Sequence, residues 1–148
     1  MKTISLRLAT KKDDSLVIAY DYALMKNEPN EPNRQNKITK AISDKECFII
    51  LADTIAVGFV LFDYRFFDQG WIELMIIEGK HRGKGISQYV FDIICEKRNT
   101  NKAFTSTNNS NVPMQKALTN AGFIFSGKLE GLDEGDPEIF YYRKENSK

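Results

Sequence analysis

Apolar and polar positions alternate with two distinct periods along this chain, and the changes of period divide it into elements. In "TISLRLA", residues 3–9, Ile4, Leu6 and Leu8 alternate with polar neighbours, which predicts a half-buried strand. Leu16, Ala19, Tyr20, Ala23 and Leu24 then fall three and four residues apart, the spacing of one helical face, with Thr10 placed to cap the start. "KNEPNEPNRQN" sets two prolines among asparagines and charges and reads as a loop; the short "KITKAIS" after it puts Ile38, Ala41 and Ile42 on one side of a second helix. The long run "CFIILADTIAVGFVLFDYRFFDQGWIELMII", residues 47–77, reads as three successive strands turning at Asp53-Thr54 and at Asp68-Gln69-Gly70, an antiparallel meander.

After residue 77 the helical period returns. Ile86, Tyr89, Val90, Ile93 and Ile94 make "ISQYVFDIICEKR" an amphipathic helix. "KAFTST" is a short strand, and "VPMQKALTNAG" a helix with Asn111 as cap, Pro113 in its first turn and Gly122 past its end. "FIFSGKL" and "EIFYYRK" close the chain as two strands joined by "EGLDEGDP". The expected fold is α+β: a mostly antiparallel sheet with flanking helices and one parallel, right-handed strand-helix-strand crossover, from "WIELMII" to "AFTST". With no internal repeat or low-complexity segment, the 148 residues read as one domain, 1–148.

Composition narrows the chemistry. The chain is 42% hydrophobic and 28% charged with net charge +1, which offers neither nucleic acid nor a membrane surface an electrostatic reason to bind. No stretch resembles a signal peptide or a membrane span, so a cytoplasmic location is expected. Cys47 and Cys95 lie inside apolar patterns and read as core residues, and with a single histidine no metal site is expected.

The segment carrying the chemistry is "KHRGKGIS", Lys80 to Ser87, between a strand and a helix. Such a junction gathers unpaired backbone N–H groups and the positive end of a helix dipole, and glycines let an anion approach closely. A P-loop fits poorly, because Gly85 stands where a magnesium-binding hydroxyl belongs; a dinucleotide fingerprint fits poorly too, because Gln88 follows where its third glycine belongs. "RGKGIS" resembles instead the Q/R-x-x-G-x-G/A signature of the GNAT superfamily of acyl-CoA-dependent N-acetyltransferases, with Ser87 in place of the last Gly or Ala. The resemblance extends through "LRLATKKD", the meander, "WIELMII", the crossover helix and "NVPMQKALTNAGF", so it spans nearly the whole chain.

The resemblance implies a GNAT fold whose parallel strands splay apart, with acetyl-CoA as co-substrate. Backbone groups of Met75, Ile76 and Ile77 would pair with the pantetheine amides, and Arg82, Gly83, Lys84, Gly85, Ile86 and Ser87 would hold the pyrophosphate. Asn111 matches the family's cofactor-side asparagine, with a plain helix cap as the alternative, and Lys116 either reaches the adenosine phosphate or is a solvated helix lysine. Glu73 matches an acidic position of this strand; among Trp71, Ile72, Leu74 and Met75 it is either a buried carboxylate whose pKa rises toward that of a useful base, or one on a solvated face or paired with a cation. The family's frequent tyrosine falls on Leu118, leaving Tyr141 or Tyr142 as candidate acid, or no dedicated acid. His81 corresponds to a packing aromatic and is not taken as a base.

The expected activity is acetyl transfer from acetyl-CoA to a primary amine of a small molecule or peptide; the alternative is a CoA-binding or sensing module of the same fold without transfer activity. Glu130, Asp133, Glu134, Asp136 and Glu138 in the last hairpin either attract a cationic amine or form a solvated turn. The loop around Asn27 to Asn36 is where relatives place acceptor contacts. The oligomeric state is left open, a homodimer among the alternatives.

Overall fold

In the computed structural model residues 2–25 and 31–144 are described. They form four helices and seven strands in the order β1 (Ile4–Leu8), α1 (Asp14–Met25), α2 (Glu31–Ser43), β2 (Cys47–Ala52), β3 (Ile55–Phe66), β4 (Gln69–Ile77), α3 (Ile86–Lys97), β5 (Lys102–Asn108), α4 (Val112–Asn120), β6 (Ile124–Leu129) and β7 (Glu138–Lys144). The strands make one sheet in the order β1-β2-β3-β4-β5-β7-β6. β1–β2, β2–β3, β5–β7 and β6–β7 pair antiparallel, and β4–β5 pair parallel. The expected mostly antiparallel sheet with one parallel pair is what the chain forms.

The residues fall into two compact units, through which β3 and β4 each pass. The first holds residues up to Phe62 together with Leu74–Ile86. Its core packs Val17 and Tyr20 of α1 and Ile38, Ala41 and Ile42 of α2 against Cys47, Ile49, Phe59, Leu61 and Ile76 of the strands. The buried face of α1 differs from the expected one: Leu16 and Leu24 are exposed, while Val17, Tyr20 and Asp21 are buried. Residues 16–20 are apolar without a break, so their period leaves the inward face ambiguous, and a polar residue decides it. Asp21 accepts Nε and Nη2 of Arg34 at 2.9 to 3.2 Å, a two-pronged bond from α1 to α2. That anchor also accounts for the start of α2 at Glu31, six residues before the expected "KITKAIS". Pro32 is tolerated there because a helix's first turn does not need its N–H.

The second unit holds Asp63–Glu73 and the residues from Ser87 on. In β5 and β7 every second residue is buried: Ala103, Thr105 and Thr107, then Ile139, Tyr141 and Arg143. This is the period of a sheet with one covered face. Phe91 of α3 meets Phe123 edge-on at 5.3 Å in that core. Arg143 is 5% exposed, and its Nη1 donates to Asp92 of α3 at 2.7 Å and to the Ala121 carbonyl at 3.1 Å, so a buried cation clasps both helices to β7. Among the described residues no helix is long and apolar enough to cross a membrane.

Candidate functional site

The strand-to-helix junction is built in three steps. The Glu78 N–H donates to the Val57 carbonyl at 2.8 Å, which fixes the end of β4 on β3. One tight helical turn follows, Gly79–His81, with His81 Nε2 3.5 Å from the Glu78 carboxylate. Gly83 and Gly85 then take left-handed backbone angles, φ +74° and +75°, which any side chain would strain, and α3 starts at Ile86.

Three properties suit this junction to an anion. Nothing lies within 4 Å of where a side chain would begin at Gly83 or Gly85, so the backbone is open to a ligand. The first turn of α3 contains no acidic residue, and its N–H groups have no partners within the helix. Lys80, Arg82 and Lys84 are exposed beside it. Arg82 is partly committed: its Nε donates to the Ile77 carbonyl at 2.9 Å, tying the loop back to β4. Ile86 is buried and Ser87 half-buried.

The parallel register runs from Gly70 opposite Ala103 to Ile72 opposite Thr105, although β4 continues to Ile77 and β5 to Asn108. At the last paired position the buried Thr105 hydroxyl donates to the Ile72 carbonyl at 3.0 Å, so a side chain supplies a bond that a strand backbone would otherwise make. Beyond it lie half-buried Met75, buried Ile76 and half-buried Ile77. Gly58 of β3 faces that stretch: a side chain there would begin 2.1 Å from the Ile76 carbonyl oxygen. Neither Gly58 nor Thr105 is singled out by motif or periodicity, though a lone glycine within the apolar strand "AVGFV" signals a close backbone approach.

Of the two readings of Glu73, the chain adopts the solvated face. The side chain is exposed, because alternation puts Gly70 and Ile72 on the covered face and Trp71 and Glu73 on the other. Its carboxylate accepts the Trp71 indole N–H at a long 3.4 Å. Trp71 stacks on Phe66 at 4.5 Å and lies 6.0 Å from Phe140, and Phe104 lies 5.6 Å from Tyr142, so these rings share the face of Glu73. Tyr142 is half-buried there, with the Lys102 ammonium 5.2 Å from its ring centre. Tyr141 lies on the opposite, covered face, edge-on to Phe125.

The other expected residues divide between structural and open roles. The Asn111 side chain accepts the Met114 N–H at 3.2 Å and caps α4. Lys116 is exposed on the same helix, and Leu118 is 1% exposed in the core. The acidic hairpin is largely committed to its own chain: Asp133 accepts from Asn108, Asp136 from the Ser110 N–H and hydroxyl, and Glu138 from Ser106. These bonds hold the hairpin to the end of β5, which is the structural reading of that run. Burial pushes the Cys47 thiol up to about 12 and raises Cys95, so neither is poised as a nucleophile. Of the loop around Asn27 to Asn36, residues 27–30 lie outside the described residues and 31–36 form the start of α2.

No protein-family model and no curated protein matches the chain. Among solved structures, a GNAT-family acetyltransferase from Bacillus cereus superposes with a TM-score of 0.86 at 34% identity, over 97% of this chain and 98% of that one. The chain belongs to the GNAT family of acetyltransferases. Two more distant structures share the GNAT fold with it: Ard1 from Thermoplasma volcanium (TM-score 0.78, 14% identity, 95% and 97% of the chains) and a spermidine N-acetyltransferase SpeG chimera from Vibrio cholerae and hSSAT (0.75, 19%, 96% and 95%). Within this GNAT chain the left-handed glycines, Gly83 and Gly85, stand in the signature stretch itself.

Proposed function

We propose that the protein transfers an acetyl group from acetyl-CoA to the primary amine of a small molecule or a peptide N-terminus, with both substrates bound together. The observation that carries this reading is the pair of left-handed glycines opening onto an acid-free helix start, a donor set that suits a pyrophosphate. In it Arg82, Gly83, Lys84, Gly85, Ile86 and Ser87 hold the pyrophosphate, while the backbone of Met75, Ile76 and Ile77 holds the pantetheine amides. Asn111 shapes the start of α4, and Lys116 reaches toward the adenosine phosphate. Acetyl-CoA supplies an activated acyl carbon and a thiolate leaving group.

An ammonium has no lone pair to attack with, so the chain must take up one proton. In this reading Glu73 takes it up, supported by the Trp71 indole N–H that its carboxylate accepts at 3.4 Å. The aromatic face around it favours a cationic acceptor. Tyr142, not Tyr141, shares the face of Glu73 and is the tyrosine that can return a proton to the departing thiolate. With Leu118 packed in the core, a CoA-binding module without transfer activity is the second reading.

Thermal unfolding with acetyl-CoA, ATP or NAD tests the binding half. Acetyl-CoA at about 100 times its dissociation constant should stabilise the chain by about 2.7 kcal/mol, a rise of roughly 5 to 11 °C, and the other two should not. No shift with acetyl-CoA would overturn the proposal. Release of free thiol across a panel of amines separates the two readings: the enzyme shows amine-dependent release, lost in Glu73→Gln, and the binding module shows none.

A further inference from the structure

Ile139, Tyr141 and Arg143 are the buried residues of β7, so its opposite face carries Glu138, Phe140, Tyr142 and Lys144. The order is an acid, two rings and a base. Turned end for end, it sets acid over base and one ring over the other. The neighbouring strands of the second unit extend the pattern, because residues directly opposite across a ladder share a face. From β5, Lys102 joins Lys144, Phe104 joins Tyr142 and Ser106 joins Phe140. From β6, Ile124 joins Tyr142 and Leu129 joins Glu138. Ile124 is 48% and Leu129 45% exposed, and Phe104, Phe140 and Tyr142 are only half-buried, so this apolar band is open. Lys102 and Lys144 are like charges directly opposite each other, an unfavourable pairing that a facing carboxylate relieves.

We propose that this face of β5, β7 and β6 is a dimer interface whose occupant is a second copy of the chain, related by a two-fold axis that reverses the strand direction. The axis crosses β7 between Phe140 and Tyr142. Lys144 of each copy then lies over Glu138 of the other, and Tyr142 over Phe140, with Ile124 and Leu129 at the side. A closed two-fold pair needs one patch that serves both sides, which an acid-ring-ring-base order supplies. A partner of a single charge would match only one end of it. Rings at the centre and charges at the ends also follow the make-up of protein interfaces. Two sheets packed face to face lie about 10 Å apart, room for one interdigitated layer of these side chains. Glu73 and Trp71 stand on β4, two strands from β7, so the pairing is centred away from them. The inference does not depend on the acetyl-CoA reading.

Sedimentation velocity of the full chain from ~1 to ~100 µM reads the association. The wild-type chain should be dimeric at the upper end, and a chain still monomeric at about 100 µM overturns the proposal. Lys144→Glu sets a carboxylate over Glu138 of the other copy and should weaken the dimer about tenfold or more; Glu138→Lys should do the same. Combining the two restores opposite charges at both ends and should return the dissociation constant to within about threefold of wild type. A general loss of stability would not be rescued in this way. A dimer indifferent to both single changes, or not rescued by the pair, uses another face and overturns the inference. Should Glu138→Lys not fold, Ile124→Asp, at an exposed position of the edge strand, decides together with Lys144→Glu. Each should leave monomers at about 10 µM, and an unchanged dimer in either overturns the proposal.

Discussion

Asp13 receives two guanidinium nitrogens of Arg7, both at 2.9 Å, and the Thr10 N–H at 2.8 Å. The Arg7 bond, against the opposing effect of burial, holds its carboxyl at about 2, below the ordinary 3.8. A carboxylate lowered on folding stabilises above its unfolded pKa and loses that stabilisation as pH falls through the window from about 4 to about 2. Because Arg7 is 44% exposed, we expect Asp13→Asn to cost about 1–2 kcal/mol at neutral pH and to flatten the stability profile below pH ~4, read from urea midpoints against pH. Single residues differ in how well sequence exposes them. Asn111 was legible as a cap because a helix start has a local grammar of cap, proline and apolar period. The exposure of Glu73 was not legible from its apolar neighbours, because which face of β4 is covered depends on helices far along the chain.

The hairpin between β3 and β4 has only Phe67 and Asp68 between the strands, with φ +53° and +61°. Two positive φ values in a two-residue turn suit Asn-Gly, and a bulky residue there is strained. Phe67 is also 83% exposed, so little packing offsets the strain. Phe67→Asn combined with Asp68→Gly should therefore stabilise the chain by about 1 kcal/mol, a rise of roughly 2–4 °C in thermal unfolding. The turn lies one residue earlier than Asp68-Gln69-Gly70, where the glycine would put it by sequence, because Gly70 is buried within β4. Strands and helices with a clean period were placed to within a residue or two, β7 and α3 among them. The start of α2 was not, since Arg34 reaching Asp21 across thirteen residues is a tertiary bond that no local window contains. The Gly-rich junction was legible because its chemistry is carried by consecutive residues, while Gly58 and Thr105 meet β4 across strands, at Ile76 and Ile72.

Across the molecule, the order of elements and the single parallel pair were legible because each element's period is strong and the crossover has one handedness. The division of the described residues into two compact units was not, because the chain enters and leaves each unit in mid-element, at Phe62, Glu73 and Ile86. Trp71, the only tryptophan of the chain, belongs to the second unit, stacked on Phe66. Its emission thus reports the opening of that unit alone, whereas far-ultraviolet dichroism sums the helices of both units, α1 and α2 of the first with α3 and α4 of the second. With β3 and β4 running through both, we expect the two signals to trace one denaturation curve; separated midpoints would mean that the two halves melt independently. An unlabelled chain thus carries its own test of cooperativity, because one indole sits where the backbone passes from one unit to the other.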